Sequence, residues 1–251
     1  MSGIEAFSPK GMLHEGWNAQ VDDYAIACGW ALEGQTFLVG DVAGGLYAFE
    51  GKSGKLIWQT KGNHKGSLLA MSINPDGDIL ATAGQDGCIR FWESEKGKEI
   101  KNLELGKGWI EHLKWSSDGK FLAVAFSRIV YVFNSMGKEV WRSEKHPSTV
   151  SALAWANENE LASACYGQVS FFDVVSNKVN QKLEWQGSLV SMVISPNGDI
   201  VACGSQDNSV HFWRRSTGHD AEMTGYPGKP SYIDFDHTGT LLATGGSERV
   251  T

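Results

Sequence analysis

Apolar and polar residues alternate in short runs, and the same run recurs along the chain. Five stretches read alike: residues 35–49 (QTFLVGDVAGGLYAF), 78–92 (DILATAGQDGCIRFW), 120–133 (KFLAVAFSRIVYVF), 160–172 (ELASACYGQVSFF) and 199–213 (DIVACGSQDNSVHFW). A sixth begins at Thr240 (TLLATGGSERVT). The second apolar residue of each marks the register: Leu38, Leu80, Leu122, Leu161, Val201 and Leu242, in steps of 42, 42, 39, 40 and 41. A fixed period near 40 signals a solenoid, a propeller or an array.

Within each period the spacing predicts strands, not helices. Tight turns fall at Pro75-Asp76-Gly77, Ser117-Asp118-Gly119, Pro196-Asn197-Gly198 and Thr238-Gly239, and a second set at Asp86-Gly87 and Asp207-Asn208. Gly and Asn are the residues that reach positive φ in such hairpins. A third turn, around Gly54, Gly97, Gly137, Asn177 and Gly218, precedes a further strand, as at 55–60, 98–103 and 138–143. Four strands per period, apolar on both faces, describe blades covered by neighbours on either side. The expected fold is therefore an all-β propeller of four-stranded antiparallel blades, with about five and a half repeats present.

Composition adds limits. The 30 glycines among 251 residues are enriched over the usual fraction, and 41% apolar residues suffice for a core. The chain carries 22 basic and 29 acidic residues, a net charge of −7, and no run of Lys and Arg longer than the pair Arg214-Arg215. Phosphate-tracking contact with nucleic acid is disfavoured on that ground, and the absence of a long apolar run disfavours a membrane span. The four cysteines (Cys28, Cys88, Cys165, Cys203) are scattered, without a CxxC pair, which fits a reducing, cytoplasmic setting. Gly51-Lys52-Ser53 lacks the upstream Gly of a phosphate loop, since position 46 is Leu, and His14-Glu15 lacks the second His of a metalloprotease helix, since position 18 is Asn. No catalytic residue, metal site or cofactor is expected.

The second repeat carries His64, Thr82, Asp86 and Trp92. In kind and spacing these residues resemble the hydrogen-bond network of the WD-repeat propellers, with Asn63-His64 and Trp92-Glu93 standing for the signature dipeptides. A His there can donate to Asp86 in the turn and accept from Thr82, which connects to the Trp92 indole. The other repeats keep parts of the set. The fifth has Asp207 and Trp213, with Trp185 and Cys203 at the His and Ser/Thr positions; the fourth has His146 and Ser163 with Phe172; the sixth has Thr244 and Glu248 with Tyr226 at the His position; the first and third lack the His. Most tryptophans (Trp30, Trp58, Trp92, Trp115, Trp141, Trp155, Trp213) are expected in blade cores, whereas Trp109 precedes its blade.

The resemblance covers residues 25–251 and implies a seven-bladed ring, of which the sixth blade is incomplete at Thr251 and residues 1–24 offer a closing strand within Ile4–Glu15; a six-bladed ring closed by a hairpin from 4–24 is the rival arrangement. It also implies a protein-binding top face. Carried over residue by residue, that face comprises Ser67, Leu69 and Gln85; Trp109 and Glu111; Thr149 and Ser151; Ser188, Val190 and Gln206; and Lys229, Ser231 and Ser247. The implied function is a non-catalytic scaffold for one or more protein partners or a multiprotein complex. The alternatives are a propeller enzyme or ligand-binding propeller, for which only Glu111 and His112 offer chemistry at the channel, and an accessory domain of a larger protein.

Overall fold

The computed structural model describes residues 16–246 and the backbone of Arg249–Val250. The proposed closing strand at 4–15, Ser247 and Glu248 lie outside the described residues. Among the described residues, twenty-three strands form six antiparallel sheets in chain order. Blade one holds β1 (Ala25–Ala31), β2 (Thr36–Asp41), β3 (Leu46–Glu50) and β4 (Leu56–Thr60). Blade two holds β5 (Leu68–Ile73), β6 (Ile79–Gly84), β7 (Cys88–Glu93) and β8 (Lys98–Glu104). Blade three holds β9 (Ile110–Trp115), β10 (Phe121–Phe126), β11 (Ile129–Asn134) and β12 (Glu139–Arg142). Blade four holds β13 (Ala152–Trp155), β14 (Glu160–Cys165), β15 (Gln168–Asp173) and β16 (Lys178–Glu184). Blade five holds β17 (Leu189–Ile194), β18 (Ile200–Ser205), β19 (Val210–Arg214) and β20 (Asp220–Met223). The sixth sheet has three described strands: β21 (Tyr232–Phe235), β22 (Leu242–Gly246) and β23 (Arg249–Val250).

The turn residues explain why each strand stops where it does. Gly54, Gly97, Gly137, Asn177 and Gly218 all adopt positive φ, from 55° to 72°, at the connection to the fourth strand. Gly87 (φ 69°) and Asn208 (φ 65°) do so in the turns that follow the second strands of blades two and five. A Cβ at Gly87 would also collide with the carbonyl of Gly106, so that turn needs glycine for space as well as conformation.

First strands of successive blades adjoin one another, β1 to β5 to β9 to β13 to β17 to β21, and line a central channel. The core lies between blades rather than inside any one of them. Leu38, Leu46 and Ala48 of blade one meet Leu68, Leu80 and Trp92 of blade two; Ala81, Ile89 and Phe91 of blade two meet Ile110, Trp115 and Leu122 of blade three. Equivalent layers join blades three to four and four to five. Each fully buried Leu, Ile or Phe contributes about 1.5–3 kcal/mol, so these layers dominate the stability.

Tryptophans also staple blades together. Trp115 donates to the Ser72 carbonyl at 3.2 Å and Trp155 to the Lys114 carbonyl at 2.9 Å, each reaching the first strand of the preceding blade. Trp58 donates to the Ser94 carbonyl of blade two at 2.9 Å. Trp30 departs from the expected core placement. It belongs to blade one, where no preceding blade is described, and it stays 54% exposed against Phe37. Polar stapling adds to this: Arg215 of blade five grips Glu160 of blade four with two hydrogen bonds of 2.9 and 3.0 Å, bonds Gln181 and lies over the Phe171 ring.

Candidate interaction surface

In blade two, His64 Nδ1 lies 3.0 Å from Asp86 Oδ1, His64 Nε2 lies 3.0 Å from Thr82 Oγ1, and Trp92 Nε1 donates to Thr82 Oγ1 at 2.9 Å. The directions follow from the inventory of donors. Asp86 only accepts, so His64 carries its proton on Nδ1; Nε2 then accepts the Thr82 hydroxyl proton, and the Thr82 oxygen receives the Trp92 indole. Burial holds His64 below its usual 6.5 even with the Asp86 carboxylate beside it. Burial alone would raise Asp86, but hydrogen bonds from His64 and from the Lys65 and Cys88 amides outweigh it and hold the carboxyl low. The network ties the hairpin turn, where Asp86 sits, to the blade core, where Trp92 is 3% exposed.

The other blades fill the same space differently. In blade four, His146 Nε2 lies 2.7 Å from Ser163 Oγ, Nδ1 donates to the Arg128 carbonyl at 3.1 Å, and Phe172 meets the ring edge-on. In blade six, the Tyr226 hydroxyl bonds Thr244 Oγ1 at 2.7 Å. Blade five has an aromatic cluster in place of the hydrogen-bonded chain: the Trp185 and His211 ring centres lie 3.7 Å apart at a tilt of 30°, and His211 meets Trp213 edge-on with ring centres 4.2 Å apart.

Leu69, Glu111, Ser151, Val190 and Ser231, drawn from five different blades, converge around one mouth of the central channel together with His112. Apart from Glu111 and His112, the channel lining consists of Ala, Leu, Met, Val and Ser. Burial lowers the His112 pKa, with Glu111 opposing the shift. Trp109, Glu111 and Thr149 share a groove between blades three and four, walled by Lys107, Phe126 and Val150. Ser67 and Gln85 support one another, the Ser67 amide donating to the Gln85 side chain at 3.1 Å. Ser188 accepts the Gln206 amide in blade five, and Lys229 is exposed on the loop before β21.

Trp109 is 57% exposed, and the loop that carries it explains why. Gly106 and Gly108 adopt φ of 142° and 154°, a region closed to most side chains, and a Cβ at Gly108 would lie 2.9 Å from the Phe126 ring. The backbone therefore runs flat across Phe126, and the indole is left outside.

Two clusters escaped the sequence reading. Arg142, Lys145, Lys178 and Lys182 border one groove, but they come from β12, the segment after it and β16 of the next blade, and form no run. The stacked Trp185 and His211 are likewise distant in sequence; an aromatic residue in place of the expected His was the only available signal.

Successive four-stranded blades around a channel, with a His–Asp–Thr–Trp network in one of them, define a WD-repeat propeller. The family profile described as WD domain, G-beta repeat matches residues 54–93 and 178–214, the two segments that end in Trp92 and Trp213. The fold and these two matched segments are those of WD-repeat propellers, without pointing to a particular member. It is 23% identical over 188 residues to the mouse serine-threonine kinase receptor-associated protein, covering 74% of this chain and 54% of that one. It is 24% identical to eukaryotic translation initiation factor 3 subunit I of Phaeosphaeria nodorum, covering 69% and 47%. The chain thus spans about half the length of these curated relatives. Among solved structures, a chain of a mitotic checkpoint complex crystal structure superposes with a TM-score of 0.79 at 19% identity, covering 92% of this chain and 74% of that one. Among the described residues no helix is long and apolar enough to cross a membrane.

Proposed function

We propose that the chain is a non-catalytic scaffold that presents its top face to protein partners in the cytoplasm, with Trp109 and Glu111 as the centre of the contact. The observation that carries this reading is the exposed Trp109, held outward by Gly106 and Gly108 beside a carboxylate and a groove. Aromatic anchors set in a polar rim concentrate binding energy at interfaces. The relatives include proteins named for receptor association and for a subunit of an initiation factor, which supports a role within assemblies. The net charge of −7 supports a protein partner over nucleic acid. A channel lined mainly by small and aliphatic residues supports a platform over an enzyme.

The test is affinity capture followed by mass spectrometry, comparing wild type with Trp109→Ala/Glu111→Ala. Loss of a defined partner set, at an unchanged melting temperature, is the expected result. Partners that bind the double variant as well as wild type would overturn the assignment of this face.

A further inference from the structure

On the side of the sheets away from the channel, blades three and four enclose a groove of about 580 Å³. Its origin is local. The fourth strand β12 spans four residues, whereas β8 and β16 span seven. Beyond Arg142 the chain continues as the irregular segment 143–147, held to β11 and the turn before it through Ser143 and His146, and the groove opens between this segment and the outer strands β15 and β16 of blade four.

The groove has a buried floor and a cationic rim. Trp141, Phe172, His146 and Ser170 form the floor, all 8% exposed or less. Ser170 Oγ accepts the Gln168 side-chain amide at 2.9 Å, which leaves its hydroxyl proton to donate. Arg142, Lys145, Lys178 and Lys182 stand on the rim with Glu144 as the single acidic lining residue, in a chain whose net charge is −7. Arg142 bonds Glu139 at 2.8 Å on the solvent side. Among the described residues no carboxylate lies within 4 Å of the Lys145, Lys178 or Lys182 ammonium groups, although Asp173 lies near enough to Lys178 to be stabilised by it.

We propose that this groove binds a short acidic peptide segment of a partner protein, at a surface separate from the top face. Carboxylates of the segment meet Lys178, Lys182 and Arg142, and an apolar side chain between them packs against Val179, which lines the groove and is exposed. Charge complementarity selects the occupant: four cations converge here from a protein that is otherwise acidic. Nucleic acid fits less well, because base stacking needs open aromatic faces and a long basic track. Trp141 and Phe172 are nearly fully covered, and the acidic remainder of the surface repels a polyanion.

The experiment uses the full chain and a fluorescein-labelled peptide of about eight alternating Glu and Leu residues, followed by fluorescence anisotropy near 0.05 M salt, where surface charges are weakly screened. Saturable binding is expected. Lys178→Glu/Lys182→Glu should weaken it about tenfold or more, as should Lys145→Glu with Arg142→Glu, and Trp109→Ala should leave it within about twofold. All four cations are solvent-facing enough for charge reversal to leave folding intact, which the melting temperature of each variant checks. Three results would overturn the proposal: no saturable binding at low salt, binding that both charge-reversal pairs leave within about twofold, or tighter binding of a single-stranded RNA of similar charge that depends on the same lysines. Loss of peptide binding in Trp109→Ala alone would move the site to the top face and overturn it as well.

Discussion

Blades two and five share one backbone and fill it by different chemistry. Their registers coincide: Thr82 faces Arg90 and Leu80 faces Trp92 in blade two, while Cys203 faces His211 and Val201 faces Trp213 in blade five. Both turns hold an Asp whose carboxylate accepts the amide two residues on, from Cys88 in one case and Ser209 in the other. From there they diverge. Asp86 is also bonded by His64, and through it to Thr82 and Trp92. Asp207 instead folds back onto the Ser209 hydroxyl at 2.7 Å, and the His position is taken by Trp185, stacked on His211. The turn itself needs only the local Asp bond. The His supplies a second function, a hydrogen-bonded tie between that turn and the core.

The largest difference between the blades should appear on cutting that tie. His64→Ala leaves a void and two polar groups, the Asp86 carboxylate and the Thr82 hydroxyl, each short of a partner, at a cost of about 2–4 kcal/mol. Asp207→Ala removes only turn-local bonds, at a cost of about 1 kcal/mol or less. Urea denaturation at constant slope measures both. Equal losses would mean that the His tie contributes nothing beyond the turn.

A smaller effect separates cooperativity from packing. In a double-mutant cycle, His64→Ala and Thr82→Val should couple by about 1–2 kcal/mol, because each removes the partner that the other leaves buried. Trp185→Phe and Cys203→Ala in blade five should couple by less than about 0.5 kcal/mol, since the thiol is in an apolar layer and burial pushes its pKa far up, out of any acid–base role. Coupling of the same size in both blades would make the stack as much a unit as the network.

The contrast also marks how far the sequence could be read. Strand order was legible because the turns demand residues that reach positive φ, and Gly54, Gly97, Gly137, Asn177 and Gly218 recur at the period. Blade two was legible because His64, Thr82, Asp86 and Trp92 are residue types whose donors and acceptors match one another. Contacts created by stacking one sheet on the next were not legible. Arg215 reaches Glu160 from 55 positions away, and nothing local to either residue announces the pairing. The Lys178 and Lys182 rim faces Arg142 and Lys145 across the groove between two blades, a pairing that no local run of residues encodes. Trp30 reads like Trp115 and Trp155 in its strand, yet its exposure is decided by what stands beside blade one.

The smallest expected effect concerns acid, and it distinguishes the two blades by where a proton could go. Burial holds His64, His112, His146 and His211 below their usual 6.5 in the folded chain. The unfolded chain therefore binds more protons as pH falls below about 6.5, and the stability that these neutral rings contribute is present above that pH and lost below it. The two blades should lose it unequally. A proton on His64 Nε2 would face the Thr82 oxygen, which already receives the Trp92 N–H, and would leave the Thr82 proton without its acceptor. A proton on His211 Nε2 finds Asp220 Oδ2 at 3.2 Å, with Glu222 also favouring the charge, so blade five accepts it at lower cost. Between pH 7 and 5, His64→Gln should flatten the fall in unfolding free energy by up to about 1 kcal/mol, and His211→Gln by less. Proton NMR titration of the ring signals gives the same ordering directly, with His64 charging at lower pH than His211. The opposite order would mean that the Asp86 carboxylate, despite burial, stabilises the imidazolium more than Asp220 does, and that the tie in blade two is an ion pair in acid rather than a chain of neutral hydrogen bonds.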